Sequence, residues 1–135
     1  MLQRHGEVVC QVVRDTSSKL LTLPILKTVK RTATLFSDEW GGYNTVSKKY
    51  KHYIVDHSRG QYVNGNAYTN TIEGFWSILK RGLMAIYNHT DKKHLQRYVN
   101  KFCFRYNTRG LGNAQRFNLL LCNCNHRITY KDLTK

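Results

Sequence analysis

Acidic residues are scarce. Only 8 Asp and Glu stand against 22 Lys and Arg in 135 residues, a formal charge of +14. Such an imbalance argues against an indifferent cytosolic enzyme and suits a partner bearing many phosphates, with nucleic acid the first choice. Proline is nearly absent, and one proline with nine glycines leaves no room for a collagenous segment or a Pro/Gly-rich linker. No apolar run approaches the ~18 residues of a membrane span, and the basic residues are spread along the chain, so no membrane partner is expected. The opening Met1-Leu2-Gln3-Arg4-His5-Gly6 lacks the apolar core and small-residue cleavage site of a signal peptide. The expected compartment is the cytoplasm, with reduced cysteines. Cys10, Cys103, Cys122 and Cys124 show no C-x-x-C pair, which excludes a zinc ribbon. Cys122-Asn123-Cys124-Asn125-His126 offers at most three ligands, and the preceding Leu119-Leu120-Leu121 reads more simply as a helix end.

What is present is globular: 41% hydrophobic and 12% aromatic residues, without repeats or low-complexity segments. One domain over residues 1–135 is expected. Val8 to Val13 is β-branched and nearly continuous, which predicts a buried strand. Asp15-Thr16-Ser17-Ser18 supplies cap residues for a helix reaching about Arg31, with Pro24 in its first turns or at a kink. Thr32 to Ser37 and His52 to Val55 read as further short strands, joined by the turn Asp38 to Tyr43 and a short helix to Tyr50. Ser58 to Thr69 has the chemistry of a polar loop. Asp91 to Arg109 has an apolar face of Leu95, Val99, Phe102 and Tyr106 and a basic remainder, so it is a helix. Ala114 to Cys122 reads as another, and Ile128 to Leu133 as an extended tail. Strands alternating with helices predict an α/β sheet with packed helices.

The most informative stretch is Asn70-Thr71-Ile72-Glu73-Gly74-Phe75-Trp76-Ser77-Ile78-Leu79-Lys80-Arg81-Gly82-Leu83, a helix that should run to about Tyr87. At ~100° per residue Ile72, Phe75, Trp76, Leu79 and Leu83 share one stripe, with Asn70 as the N-cap. Glu73, Ser77 and Lys80 line its flank, the carboxylate and the ammonium about 10 Å apart along the axis and too distant for a salt bridge. A solvated polar flank would look the same. Asp38, at the end of a predicted strand, supplies a second carboxylate where α/β sheets place chemistry. Two carboxylates are hard oxygen ligands for a divalent metal in phosphoryl transfer, although a two-metal centre normally takes a third.

Several linked motifs, in order, resemble a bacterial insertion-sequence transposase of the DDE superfamily. They are Ser37-Asp38-Glu39-Trp40-Gly41-Gly42-Tyr43-Asn44, Asp56-His57-Ser58 with Tyr62-Val63, Asn70 to Ser77 with Leu79-Lys80-Arg81-Gly82, Lys93 to Tyr98, and Phe104-Arg105-Tyr106-Asn107. The resemblance implies an RNase H-like mixed sheet and strand cleavage and transfer dependent on Mg²⁺ or Mn²⁺. Its partners would be transposon ends and target DNA, approached as a homo-oligomer or with an intact transposase, at the nucleoid. By motif, Asp38 and Glu73 are the second and third catalytic acids and metal ligands, with Asn70 an alternative third ligand. Lys80 matches the basic residue that the resemblance expects to contact DNA near the scissile phosphate. Lys80 and Arg81, with Lys93, His94 and Arg97, are the DNA-binding candidates.

The family places its first catalytic Asp on a strand upstream of Val8, after a DNA-binding region. The expectation is therefore a fragment truncated at the N-terminus, lacking the first strand and inactive alone. Asp15 is better read as a cap than as a ligand. Tyr68 stands where relatives often carry His. His57 reads as structural before it reads as a proton shuttle, and the aromatic set Phe75, Trp76, Tyr98, Phe102, Phe104 and Tyr106 as core. The competing expectation is a non-catalytic DNA-binding module that regulates an intact transposase.

Overall fold

The computed structural model describes residues 1–55, 63–64, 67–68, 70–87, 90–125 and 127–134. Six α-helices, α1 (Ser18–Thr28), α2 (Asn44–Ser47), α3 (Asn70–Arg81), α4 (Leu95–Asn107), α5 (Asn113–Cys122) and α6 (Tyr130–Thr134), accompany four short strands among these residues. The strands β1 (Thr34–Ser37) and β2 (Lys51–Ile54) pair in parallel, with Thr34 opposite Lys51 and Ser37 opposite Ile54. A parallel pair needs a crossover, supplied here by a 3₁₀ turn at Gly41–Tyr43 and by α2. The strands β3 (Val63–Asn64) and β4 (Ala67–Tyr68) pair antiparallel, so the stretch read as a polar loop contains a hairpin. Mixed helix and strand with a parallel pair agrees with the α/β expectation.

The principal core forms where α3 and α4 meet the N-terminal arm, and its buried members are Val8, Phe75, Leu79, Val99 and Phe102. Both helical periods predicted it. Phe75 and Leu79 are one turn apart on α3, Val99 and Phe102 on α4, and Phe75 meets Tyr106 edge-on at 5.3 Å. Trp76, at the margin of the stripe, is 41% exposed and lies edge-on against Phe75. A second packed region gathers α1, α2 and the β1–β2 pair around Val46, Tyr50 and Val55, and the Tyr50 hydroxyl donates to the Val29 carbonyl at 2.9 Å just past the end of α1.

Four expectations are corrected. Val8–Val13 is not a buried strand: Val8 forms an isolated bridge to Leu2, while Val9 and Val12 are about two-fifths exposed. On one edge of this arm the partners are side chains of α4 rather than a neighbouring strand. The Asn107 amide accepts from the Val8 N–H at 2.8 Å and donates to the Val8 carbonyl at 3.0 Å, and Gln96 likewise takes the Val12 N–H and the Cys10 carbonyl. The tail is helical rather than extended. Thr129 stands before α6, and its N–H and hydroxyl both donate to Asp132, a T-x-x-D cap visible in the sequence. The α3 helix does not continue in α form to Tyr87: from Gly82 to Ile86 it widens into a π turn in which the Tyr87 N–H reaches the Gly82 carbonyl. Gly82 lies against Phe102, where a Cβ would sit 2.0 Å from the ring's Cζ. Asn70 is the first helical residue rather than the cap preceding the helix.

Candidate functional site

The C-terminal end of β1 carries Asp38, whose carboxylate is exposed and whose Oδ1 accepts from the Trp40 N–H at 3.4 Å. Tyr43 is close enough that the Asp38 charge, after burial, raises its phenol above the ordinary range. Parallel register explains the placement. Both strands point the same way, and the Val55 N–H donates to the Ser37 carbonyl at 2.8 Å, closing the ladder where β1 ends.

Behind Asp38 lies a polar chain that the sequence did not disclose. His52 on β2 stands between Ser37 and Ser47, with Nε2 2.9 Å from the Ser37 hydroxyl and Nδ1 2.5 Å from the Ser47 hydroxyl. Ser37 donates its hydrogen to the Asp38 carbonyl, so it accepts from His52 and Nε2 must carry a proton. Ser47 has one hydrogen and two acceptors in reach, the Nδ1 of the neutral ring and the Tyr43 carbonyl at 3.2 Å. Burial pushes the imidazole below its usual range, which favours that neutral form. Tyr43 closes over the ring edge-on at 6.4 Å. The imidazole therefore ties β2, α2 and the end of β1 together directly beside Asp38. Only its place on the strand after Ser37-Asp38 hints at this in the sequence.

Glu73 sits in the first turn of α3 and Lys80 in its last, both exposed. The helix is unbroken from Asn70 to Arg81, so the axial separation of about 10 Å holds. Ser77, between them on the same flank, spends its hydroxyl hydrogen on the Glu73 carbonyl at 3.1 Å and is occupied in its own helix. Asn70 and Arg81 are exposed at the two ends of α3. Lys93 and His94 lie in the 3₁₀ turn that leads into α4, where Lys93 reaches Asp91 at 4.0 Å. Arg97, in the first turn of α4, donates to the Asp132 carbonyl at 3.1 Å, which ties it to α6. Asp15 accepts from the Ser17 N–H in a turn just before α1, and the Ser17 side chain first and this N–H second hold its carboxyl below the usual range.

Among the described residues, no group of three or more His, Cys, Asp and Glu side chains converges as a metal site. The donors that the sequence nominated are hard oxygens of the type that suits Mg²⁺: the exposed Asp38 at a strand end, with Glu73 and Asn70 one turn apart on α3. Asp56, His57 and His126 lie outside the described residues. No helix among the described residues is long and apolar enough to cross a membrane. The family model for the ISXO2-like transposase domain matches residues 1–107. No curated protein and no solved structure matches the chain.

Proposed function

Because the chain belongs to the ISXO2-like transposase domain family, an insertion-sequence transposase group, we propose that it is a DNA transposase polypeptide built on RNase H-like lines. The match over residues 1–107 carries this reading, since it spans β1 with Asp38, α3 with Glu73 and Lys80, and all of α4. In this account Asp38 and Glu73 are the carboxylates that would hold Mg²⁺, with Asn70 beside Glu73. The ion would supply activation of the attacking oxygen and stabilisation of the leaving one. The Ser37–His52–Ser47 chain holds the strand end that presents Asp38. Lys80 presents a cation two turns along α3 from Glu73, where it would meet the phosphate backbone of DNA. Arg81, Lys93, His94 and Arg97 extend the contact along the backbone of the duplex, as does the surplus charge of +14. DNA ends and target DNA are the partners, met by an oligomer of this chain or with another transposase.

Two nominated carboxylates fall short of the three that a two-metal centre normally takes, so the 135-residue chain by itself is proposed to bind DNA without cutting it. Titration of fluorescent random duplex at several salt concentrations tests the binding. With about five phosphates neutralised, log affinity should fall against log salt with a slope of roughly −4 to −5. A slope near zero would remove nucleic acid as the partner. Nicking of supercoiled DNA in Mg²⁺ or Mn²⁺ that is abolished by Asp38→Ala would show that the chain holds a complete centre.

A further inference from the structure

Cys10 and Cys103 are remote in sequence and face one another across the seam between the N-terminal arm and α4. The seam has a fixed register. Asn107 holds the peptide groups of Val8, and Gln96 holds the Val12 N–H at 2.7 Å and the Cys10 carbonyl at 3.1 Å. Cys10 lies between the two anchored residues of the arm. Cys103 lies between the two anchoring residues of α4, one turn before Asn107 and two turns after Gln96, and so on the same helix face. Both pack against the core of Val8, Phe75, Leu79, Val99 and Phe102, and on an extended arm the Cys10 side chain shares the inward face of the buried Val8, the face turned to α4. Neither is bonded to another cysteine.

We infer that Cys10 and Cys103 form a peroxide-responsive disulfide that staples the N-terminal arm to α4. The order of events follows from burial. The Cys10 thiol is pushed up to about 12 by its buried position and then by the neighbouring Cys103, so it stays protonated and the first attack falls to Cys103. Cys103 attacks hydrogen peroxide, the O–O bond breaks, the departing hydroxide leaves as water with the thiol proton, and Cys103 becomes a sulfenic acid. The Cys10 sulfur then attacks the Cys103 sulfur, the S–O bond breaks, and the departing hydroxide takes the Cys10 proton as water. In total two thiols and one peroxide give one disulfide and two waters. The arm is otherwise held on this edge by two side-chain amides, so the staple would keep residues 8–12 on α4 when those hydrogen bonds open. None of this depends on the transposase reading.

The test uses the full chain. Folded protein is treated with hydrogen peroxide, its remaining thiols are alkylated, and tryptic peptides are read by mass spectrometry without reduction. The expected product is peptide 5–14 joined to peptide 102–105, lighter by two hydrogens than the pair and released by dithiothreitol. In a Cys122→Ser/Cys124→Ser chain both remaining thiols should vanish together, and the thermal midpoint should rise. In Cys103→Ala, Cys10 should stay alkylatable at the same peroxide dose, as a thiol without its partner. The inference is overturned if Cys10 and Cys103 proceed separately to sulfinic acid, pair with Cys122 or Cys124, or remain reduced in folded protein whose exposed thiols have reacted.

Discussion

Replacing Gly82 with alanine probes the contact that joins α3 to α4. A Cβ at this position would lie 2.0, 2.6 and 3.1 Å from the Cζ, Cε1 and Cε2 atoms of Phe102, whereas carbon atoms in contact settle at about 3.5–4.0 Å. The ring would have to retreat by more than an ångström, yet Phe102 belongs to the buried cluster with Val99, Leu79 and Phe75 and meets Tyr87 edge-on at 6.4 Å. Overpacking of this kind costs about 1–3 kcal/mol, while removing a glycine from a helix returns about 0.5–1 kcal/mol. A contact as short as 2.0 Å belongs in the upper part of the overpacking range, about 2–3 kcal/mol, so the net expectation is a loss of about 1–2.5 kcal/mol and a thermal midpoint lower by about 3–12 °C for a chain of this size. Urea unfolding followed through Trp76, which packs against Phe75, measures it. The cause is isolated in a Phe102→Leu background, where the offending ring atoms are gone and the cost of Gly82→Ala should shrink by about 1 kcal/mol or more. A neutral or stabilising Gly82→Ala, or an equal cost in both backgrounds, would refute the reasoning.

His52 gives a pH prediction. Its folded value is depressed by burial, so the stability it contributes is complete above the unfolded value of about 6.5 and is lost as pH falls through the folded value. The unfolding midpoint should therefore fall on acidification below pH 6.5, and His52→Gln should flatten that part of the profile. Asn107→Ala should cost about 2–4 kcal/mol, because it strips partners from both peptide groups of the buried Val8, whereas Gln96→Ala should cost less, since water can reach the half-exposed Val12. Amide exchange at Val8 reads the difference directly. Lys80→Ala and Lys92→Ala each remove one exposed cation. Duplex binding should weaken slightly and equally in both, while in a cleavage-competent assembly Lys80→Ala alone should lower strand transfer roughly tenfold or more. Equal losses of activity would reduce the Glu73–Lys80 flank to a solvated surface.

What the sequence disclosed and what it hid divide along the range of the interactions. The α3 and α4 periods were legible because a stripe such as Phe75 with Leu79, or Val99 with Phe102, is written within two turns of chain. The strands β1 and β2 were legible as short apolar runs bounded by turn residues. The T-x-x-D cap of α6 was equally local and simply outweighed by the apolar look of Ile128 to Leu133. Val8–Val13 failed for the opposite reason. A β-branched run states that a backbone is extended, but not whether another strand or the amides of Gln96 and Asn107 will receive its hydrogen bonds. The close approach of Gly82 to Phe102 was likewise hidden, since it rests on a residue of the next helix.

The candidate site follows the same division, which bears on how it could work. The residues nominated by motif, Asp38, Glu73 and Lys80, are all exposed, and each is placed by its own element: a strand end, a first helical turn and a last one. Exposure of this kind suits groups that must meet an outside polyanion and is uninformative about how rigidly they are held. Rigidity comes from the groups behind them. His52 reaches Ser37 across the β1–β2 pair and Ser47 on α2, so the end of β1 is tied to two other elements at once, and Asp38 inherits that fixity through the Ser37 hydrogen bond to its carbonyl. Protonating His52 would reverse the Nδ1 contact and turn the Ser47 hydroxyl toward the Tyr43 carbonyl, 3.2 Å away. The strand end would keep the Nε2 contact and lose none of its ladder bonds. An acid pH should consequently cost stability through the charging of a partly buried ring while both of its contacts persist, so backbone amide exchange at Ser47 and at Val55 should rise together; exchange that rises at only one of them would refute this.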